Sequence, residues 1–148
     1  MRAVIQTELP AAADRVWLLT RRGDTLTYIA RGLVSFGGPE GLPERFTEGD
    51  AVNVRILFFG FIPAWRHHLA IMSIDDAKRE LLSNEHGGLV RVWDHLIRVE
   101  PLDDERCRYT DDLEIQAGIF TPLVWLYAHL FYRHRQRRWR SWLRIAPE

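Results

Sequence analysis

Between residues 51 and 115 the chain carries five segments of strand character, joined only by the short links GFIPAW (60–65), DDA (75–77), NEHGG (84–88) and EPLDDE (100–105). A parallel neighbour needs a crossover of about a dozen residues or more, so links this short leave only antiparallel pairing. Residues 51–59, 66–74, 78–83, 89–99 and 106–115 are therefore predicted to form an antiparallel meander. A shorter strand over 33–36 precedes it, across a loop marked by its glycines and prolines, GGPEGLPERFTEGD (37–50).

The flanks add one strand and three helices. Ala3, Ile5 and Thr7 alternate with Val4, Gln6 and Glu8, which suits a strand that Pro10 stops. Residues 11–20 read as a short helix with Ala12, Val16 and Leu19 at helical spacing. Residues 24–30 read as a second, with Asp24 as N-cap. The last element is long: Thr121 can cap a helix with Pro122 in its first turn, running to about Ile145, roughly 36 Å at about 1.5 Å per residue.

At about 100° per residue that helix has two apolar sides. Leu123, Val124, Tyr127, Leu130, Phe131, His134, Arg138, Ser141, Trp142 and Ile145 share one face, predicted to pack on the sheet. Trp125, Tyr132, Trp139 and Leu143 form a stripe near the opposite pole, predicted to be an exposed contact for a homodimer, the alternatives being cover by the N-terminal residues or the loop 37–50 within one chain, or a peripheral membrane contact. Arg133, Arg137, Arg140 and Arg144 fall on one flank without a helical carboxylate to neutralise them. Their countercharge can come from acidic links of the same chain, from a protein partner, or from an anionic membrane surface.

Composition narrows the function classes. The 148 residues fit one domain spanning 1–148, and 20 basic against 20 acidic residues give no net field for nucleic acid, a partner that is disfavoured. Cys107 is alone, which excludes an intrachain disulfide and suits a reducing cytoplasm. MRAVIQTELP has no apolar signal-peptide core, and the apolar run 118–132 is shorter than the roughly 20 residues that span a bilayer, so a soluble cytoplasmic protein is expected. Adjacent His67 and His68 point to opposite strand faces and no HExxH or CxxC spacing exists, so neither a metal nor a cofactor is expected.

The order of strand, two short helices, meander and long terminal helix resembles the START-like helix-grip superfamily, also called SRPBCC, which includes polyketide cyclases and lipid-transfer proteins. The likeness is carried by ELPAAADRVWLLT (8–20), FFGFIPAWRHHL (58–69), VWDHLIRVEP (92–101), RYTDDLEIQAGIFTP (108–122) and FYRHRQRRW (131–139). It implies an α+β fold in which a curved antiparallel sheet grips the terminal helix around an apolar cavity.

Strand parity nominates the residues that would line such a cavity. The odd positions of 89–99 are bulky and apolar around Arg91, Trp93, His95 and Ile97, and those of 106–115 join Tyr109 and Leu113 to Asp111. If both odd faces point inward, His95 and Asp111 meet beneath the helix, with Tyr127, Phe131 and His134 looking down on them. A slip of one residue would exchange Asp111 for Asp112. Arg91, Trp93, His95, Tyr109, Asp111, Tyr127, Phe131 and His134 are thus the candidate ligand-binding residues. Two functions fit: binding of a hydrophobic small molecule or lipid, or a cyclase, dehydratase or hydrolase with His95 as general base oriented by Asp111.

Overall fold

The computed structural model describes residues 1–39 and 41–148; Glu40, within the loop read over 37–50, lies outside the described residues. Strand β1 (Arg2–Leu9) is followed by α1 (Ala13–Thr20) and α2 (Gly23–Ala30), then by β2 (Val34–Gly37), β3 (Ala51–Phe58), β4 (Ile62–Asp75), β5 (Glu80–Gly87), β6 (Val90–Pro101) and β7 (Cys107–Gln116). A single 3-10 turn leads into α3 (Thr121–Ile145). The seven strands form one antiparallel sheet in the order β1-β7-β6-β5-β4-β3-β2, so the first strand closes against the last. This is the expected α+β helix-grip architecture.

Register irregularities between Arg55 and Leu57, Ile71 and Ser73, and Glu85 and Gly87 interrupt the ladders of β3, β4 and β5. Such bulges add local twist and bend, which lets a long meander curl round a helix instead of lying flat. Two links read from sequence are absorbed into strands: β4 resumes at Ile62 and β5 runs to Gly87. The β5–β6 turn then fits under Trp65, whose ring leaves no space for a Cβ at Gly88, where φ is +55°.

The helix ends depart from the expected caps. Arg22, not Asp24, precedes α2, and Asp24 lies in its first turn bonded to the Arg22 guanidinium at 2.9 and 2.7 Å. Phe120 precedes α3, while the Thr121 hydroxyl donates to the Gly118 carbonyl at 2.7 Å and accepts from the Ala117 amide at 2.9 Å.

The largest correction concerns the face of α3. Ala128, Phe131, Tyr132, Arg135, Gln136, Trp139, Trp142 and Leu143 are buried, whereas Leu123, Leu130 and Ile145 of the predicted sheet face are exposed. Trp139 is 0% exposed and Tyr132 2% exposed, and the half-buried Trp125 donates its indole N–H to the Arg2 carbonyl at 2.8 Å. The stripe expected to join two copies is therefore spent inside one chain. Both sides of the helix are apolar, so periodicity alone cannot choose between them. The buried arc runs from Phe131 and Trp142 of the predicted face round to Tyr132, Trp139 and Leu143, because burying these rings removes the most area from water.

Arg133, Arg137, Arg140 and Arg144 do lie exposed along one flank. Among the described residues none of the four pairs with a carboxylate of this chain; Arg140 instead donates to the Thr7 hydroxyl and the Glu8 carbonyl. No described helix is long and apolar enough to cross a membrane.

Candidate functional site

Between α3 and the concave side of the sheet lies a cavity of about 440 Å³. Its walls are mainly apolar and come from strands β2 to β7, from α2 and from α3, with Ile56, Leu69, Ile71, Leu81 and Ile97 among the aliphatic contributors. Leu89 and Leu123 line it while being 54% and 65% exposed, which places a mouth between the β5–β6 turn and the start of α3. Along the roof Tyr127, Phe131, Arg135 and Trp139 recur every four residues, the spacing that keeps side chains on neighbouring ground of a helix. The Tyr127 and Phe131 rings stack at 5.9 Å, and the Arg135 guanidinium sits 5.7 Å from the Phe131 ring centre.

One wall is polar, and strand parity explains why. On β6, Trp93, His95 and Ile97 turn inward; on β7, Tyr109, Asp111 and Leu113 do so, and Asp111 is fully buried. Asp112 faces the other way, bonded to Arg2 at 2.9 and 2.8 Å, which resolves the register in favour of Asp111. His95 Nε2–H donates to Asp111 Oδ1 at 2.8 Å, and Gln136 Nε2–H donates to Asp111 Oδ2 at 2.9 Å. Asp111 stands behind His95, outside the cavity wall, and fixes the orientation of the ring.

The other ring nitrogen of His95 lies 3.5 Å from the Tyr132 hydroxyl and 3.9 Å from Glu85 Oε1. Trp93 Nε1–H donates to that hydroxyl at 3.2 Å. Glu85 also accepts from Ser83 Oγ–H at 2.9 Å and contacts His67 Nε2 at 2.9 Å. Burial alone would lower the His95 pKa, but the hydrogen bond to Asp111 and the nearby Glu85 carboxylate outweigh it and hold it above the ordinary imidazole value. Burial would raise Glu85, yet His67 and His95 keep it well below the usual carboxylate range. Burial pushes the Tyr127 phenol up to about 12 and also raises Tyr132 well above the ordinary phenol value, so both hydroxyls stay protonated at neutral pH.

Of the candidates read from sequence, Trp93, His95, Tyr109, Tyr127 and Phe131 line the cavity. Two do not. Arg91 is exposed, because the irregularity next to Gly87 resets inward parity at the start of β6. His134 lies beside α2 instead of above His95, donating from Nε2 to the Arg31 carbonyl at 2.8 Å, as the rotation of α3 requires. His67, Ser83, Glu85, Tyr132 and Arg135 were missed. For three of them the signal was present, since Ser83 and Glu85 share parity with buried Leu81, and His67 with buried Leu69 and Ile71.

The family model described as Domain of unknown function (DUF8410) matches residues 7–143. No curated protein sequence matches the chain. Among solved structures, a START superfamily protein from Mycobacterium smegmatis superposes with a TM-score of 0.70 at 12% identity, over 95% of this chain and 94% of that one. A protein from Chromobacterium violaceum superposes with a TM-score of 0.75 at 11% identity, over 99% and 98%. Norcoclaurine synthase from Thalictrum flavum, in complex with dopamine and hydroxybenzaldehyde, superposes with a TM-score of 0.56 at 16% identity, over 89% and 86%. These likenesses establish a START-like fold and, at such identities, nothing finer.

Proposed function

The chain belongs to the family described as Domain of unknown function (DUF8410), and from its START-like fold we propose that it binds a hydrophobic small molecule or lipid between the sheet and α3. The observation that carries this reading is the cavity itself. At about 440 Å³ it lies within the roughly 300–1,000 Å³ of small-molecule sites, and it joins apolar walls to a few convergent polar groups, the usual division between affinity and orientation. A protein interior normally packs without voids much larger than a water molecule, so a lumen of this size is not a by-product of folding. The small molecules in the norcoclaurine synthase complex support the same use of this architecture.

The polar wall adds orientation. His95 is pinned by Asp111 and presents its second nitrogen towards Tyr132 and Glu85, so a ligand in the lumen meets a polar patch on the β5–β6 side and Arg135 from the roof. The same group of residues would serve a catalyst, with His95 taking or giving a proton through Nδ1, and this is the second reading.

Uptake of a neutral apolar fluorophore tests the proposal, followed by titration to stoichiometry. One dye per chain is expected. Leu69→Trp, which fills the lumen from β4, should abolish uptake while changing stability by no more than about 1–3 kcal/mol. A folded wild-type protein that takes up no dye would refute the binding reading, and undiminished uptake by Leu69→Trp would move the site elsewhere. Native mass spectrometry of freshly purified protein would identify a retained ligand, and its conversion on incubation would favour catalysis.

A further inference from the structure

Within the binding reading above, on which this step rests, we propose that the cavity takes an amphiphile with a single carboxylate head, and that Arg135 is the group that holds it. Arg135 is 5% exposed and lines the lumen. Among the described residues its guanidinium makes no hydrogen bond, and its Nε is enclosed without a partner. It lies against two π faces: the Tyr132 ring centre is 4.7 Å from the guanidinium carbon and that of Phe131 is 5.7 Å away, while Asp111 and Glu85 act on it through space without a hydrogen bond. Rings of this kind favour the cation but leave its N–H groups unsatisfied. Arginine cannot shed its proton to escape, so a buried guanidinium without acceptors is a standing cost that an incoming acceptor removes.

The protein's own carboxylates do not supply that acceptor. Asp111 is engaged by His95 and Gln136, and Glu85 by Ser83 and His67. Each already has two partners, and neither lies within 4.0 Å of an Arg135 nitrogen. Their presence also sets the kind of anion. Glu85 in the wall and Asp111 behind it, each shared with a histidine, disfavour a dianionic phosphate head more than a monoanion. A planar carboxylate matches the paired N–H groups of a guanidinium, which can grip both oxygens at once. Away from Arg135 and the polar wall the lining is mainly aliphatic and aromatic, so the rest of the ligand is mainly hydrocarbon.

Calorimetric titration of the intact protein at pH 7.5 with dodecanoate, 1-dodecanol and dodecyltrimethylammonium, each below its micelle concentration, tests this. Dodecanoate should bind at least about tenfold more tightly than dodecanol, the preference that one charge-assisted pair supports. Arg135→Met should abolish that preference and leave dodecanol affinity within about threefold of wild type, because the apolar contacts remain. Equal binding of dodecanoate and dodecanol by wild type overturns the carboxylate assignment and leaves the cavity reading intact. Tighter binding of the ammonium amphiphile also overturns it, and would assign head selection to Glu85 and Asp111. Absence of binding by all three overturns it too, and the neutral dye then decides whether the cavity reading falls with it. If Arg135→Met fails to fold, the wild-type comparison of the three heads still decides.

Discussion

Replacing Asp111 by Asn changes one atom and should cost far more than its size suggests. The carboxylate is fully buried and accepts from two donors, His95 Nε2–H at 2.8 Å and Gln136 Nε2–H at 2.9 Å. An amide has one oxygen, so in either orientation its NH2 group opposes one of those donors. Hydrogen bonds to charged groups contribute about 1.5–3 kcal/mol each, and a buried donor left facing another donor adds its desolvation cost, so a loss of about 2–4 kcal/mol is expected at pH 6.

The size of the loss should depend on pH in a defined direction. His95 has a folded pKa above its unfolded value of about 6.5, so its contribution is complete below that pH and fades as pH rises through the folded value. In Asp111→Asn the imidazole can instead deprotonate and accept from the amide, an escape that becomes easier with rising pH. The gap between wild type and variant must therefore narrow from pH 6 to pH 9. Urea denaturation followed by tryptophan fluorescence measures this. With a slope of about 2 kcal/mol per molar urea, the midpoint should fall by about 1–2 M at pH 6 and by less at pH 9. A shift below about 0.3 M at pH 6, or a gap that does not narrow, would refute the assignment of a charged His95–Asp111 pair.

Trp139→Ala removes a ring that is 0% exposed and should destabilise by about 3–5 kcal/mol in the same urea assay, with no change in sedimentation coefficient at concentrations where the variant is folded. Glu85→Gln removes a carboxylate whose pKa is held low by His67 and His95. Its contribution is present above the unfolded value of about 4.3 and is lost as pH falls through the depressed one, so the variant should show a shallower loss of stability on acidification, read from thermal midpoints between pH 5 and pH 2.

The parts legible in the sequence were those with a single solution. Short links left only antiparallel pairing, and the alternation in 106–115 put Tyr109, Asp111 and Leu113 on one face of β7, as observed. The face of α3 was not legible because Leu123, Leu126 and Leu130 make a second apolar stripe as periodic as the buried one, yet these three are 65%, 53% and 61% exposed. That rotation hid Arg135 and Tyr132 and displaced His134. Arg91 was lost for a different reason: an extra residue in β6 between Val90 and Trp93 resets parity, and a bulge leaves no mark in a hydrophobic pattern. Glu85 and His67 were legible in principle, but a polar residue at an inward position is easily passed over when its partner is on another strand.

The closure of β1 against β7 has a consequence for how the chain is made. Arg2 and Asp112, joined across that seam, are 110 residues apart in the chain, so at about 5–20 residues per second the first strand waits on the order of 5–20 s for its neighbour to be synthesised. Ala3, Ile5 and Leu9 have no sheet to cover them in that interval, which makes the N-terminal segment the stretch most in need of protection during translation. The roof arrives later still, since α3 is the last element, and its Gln136 reaches back to the Ile5 carbonyl at 2.8 Å. Until that helix docks, the lumen is an open trough of apolar side chains. A cavity ligand can therefore stabilise the finished protein by mass action but gives no help to the slow pairing of its two distant ends.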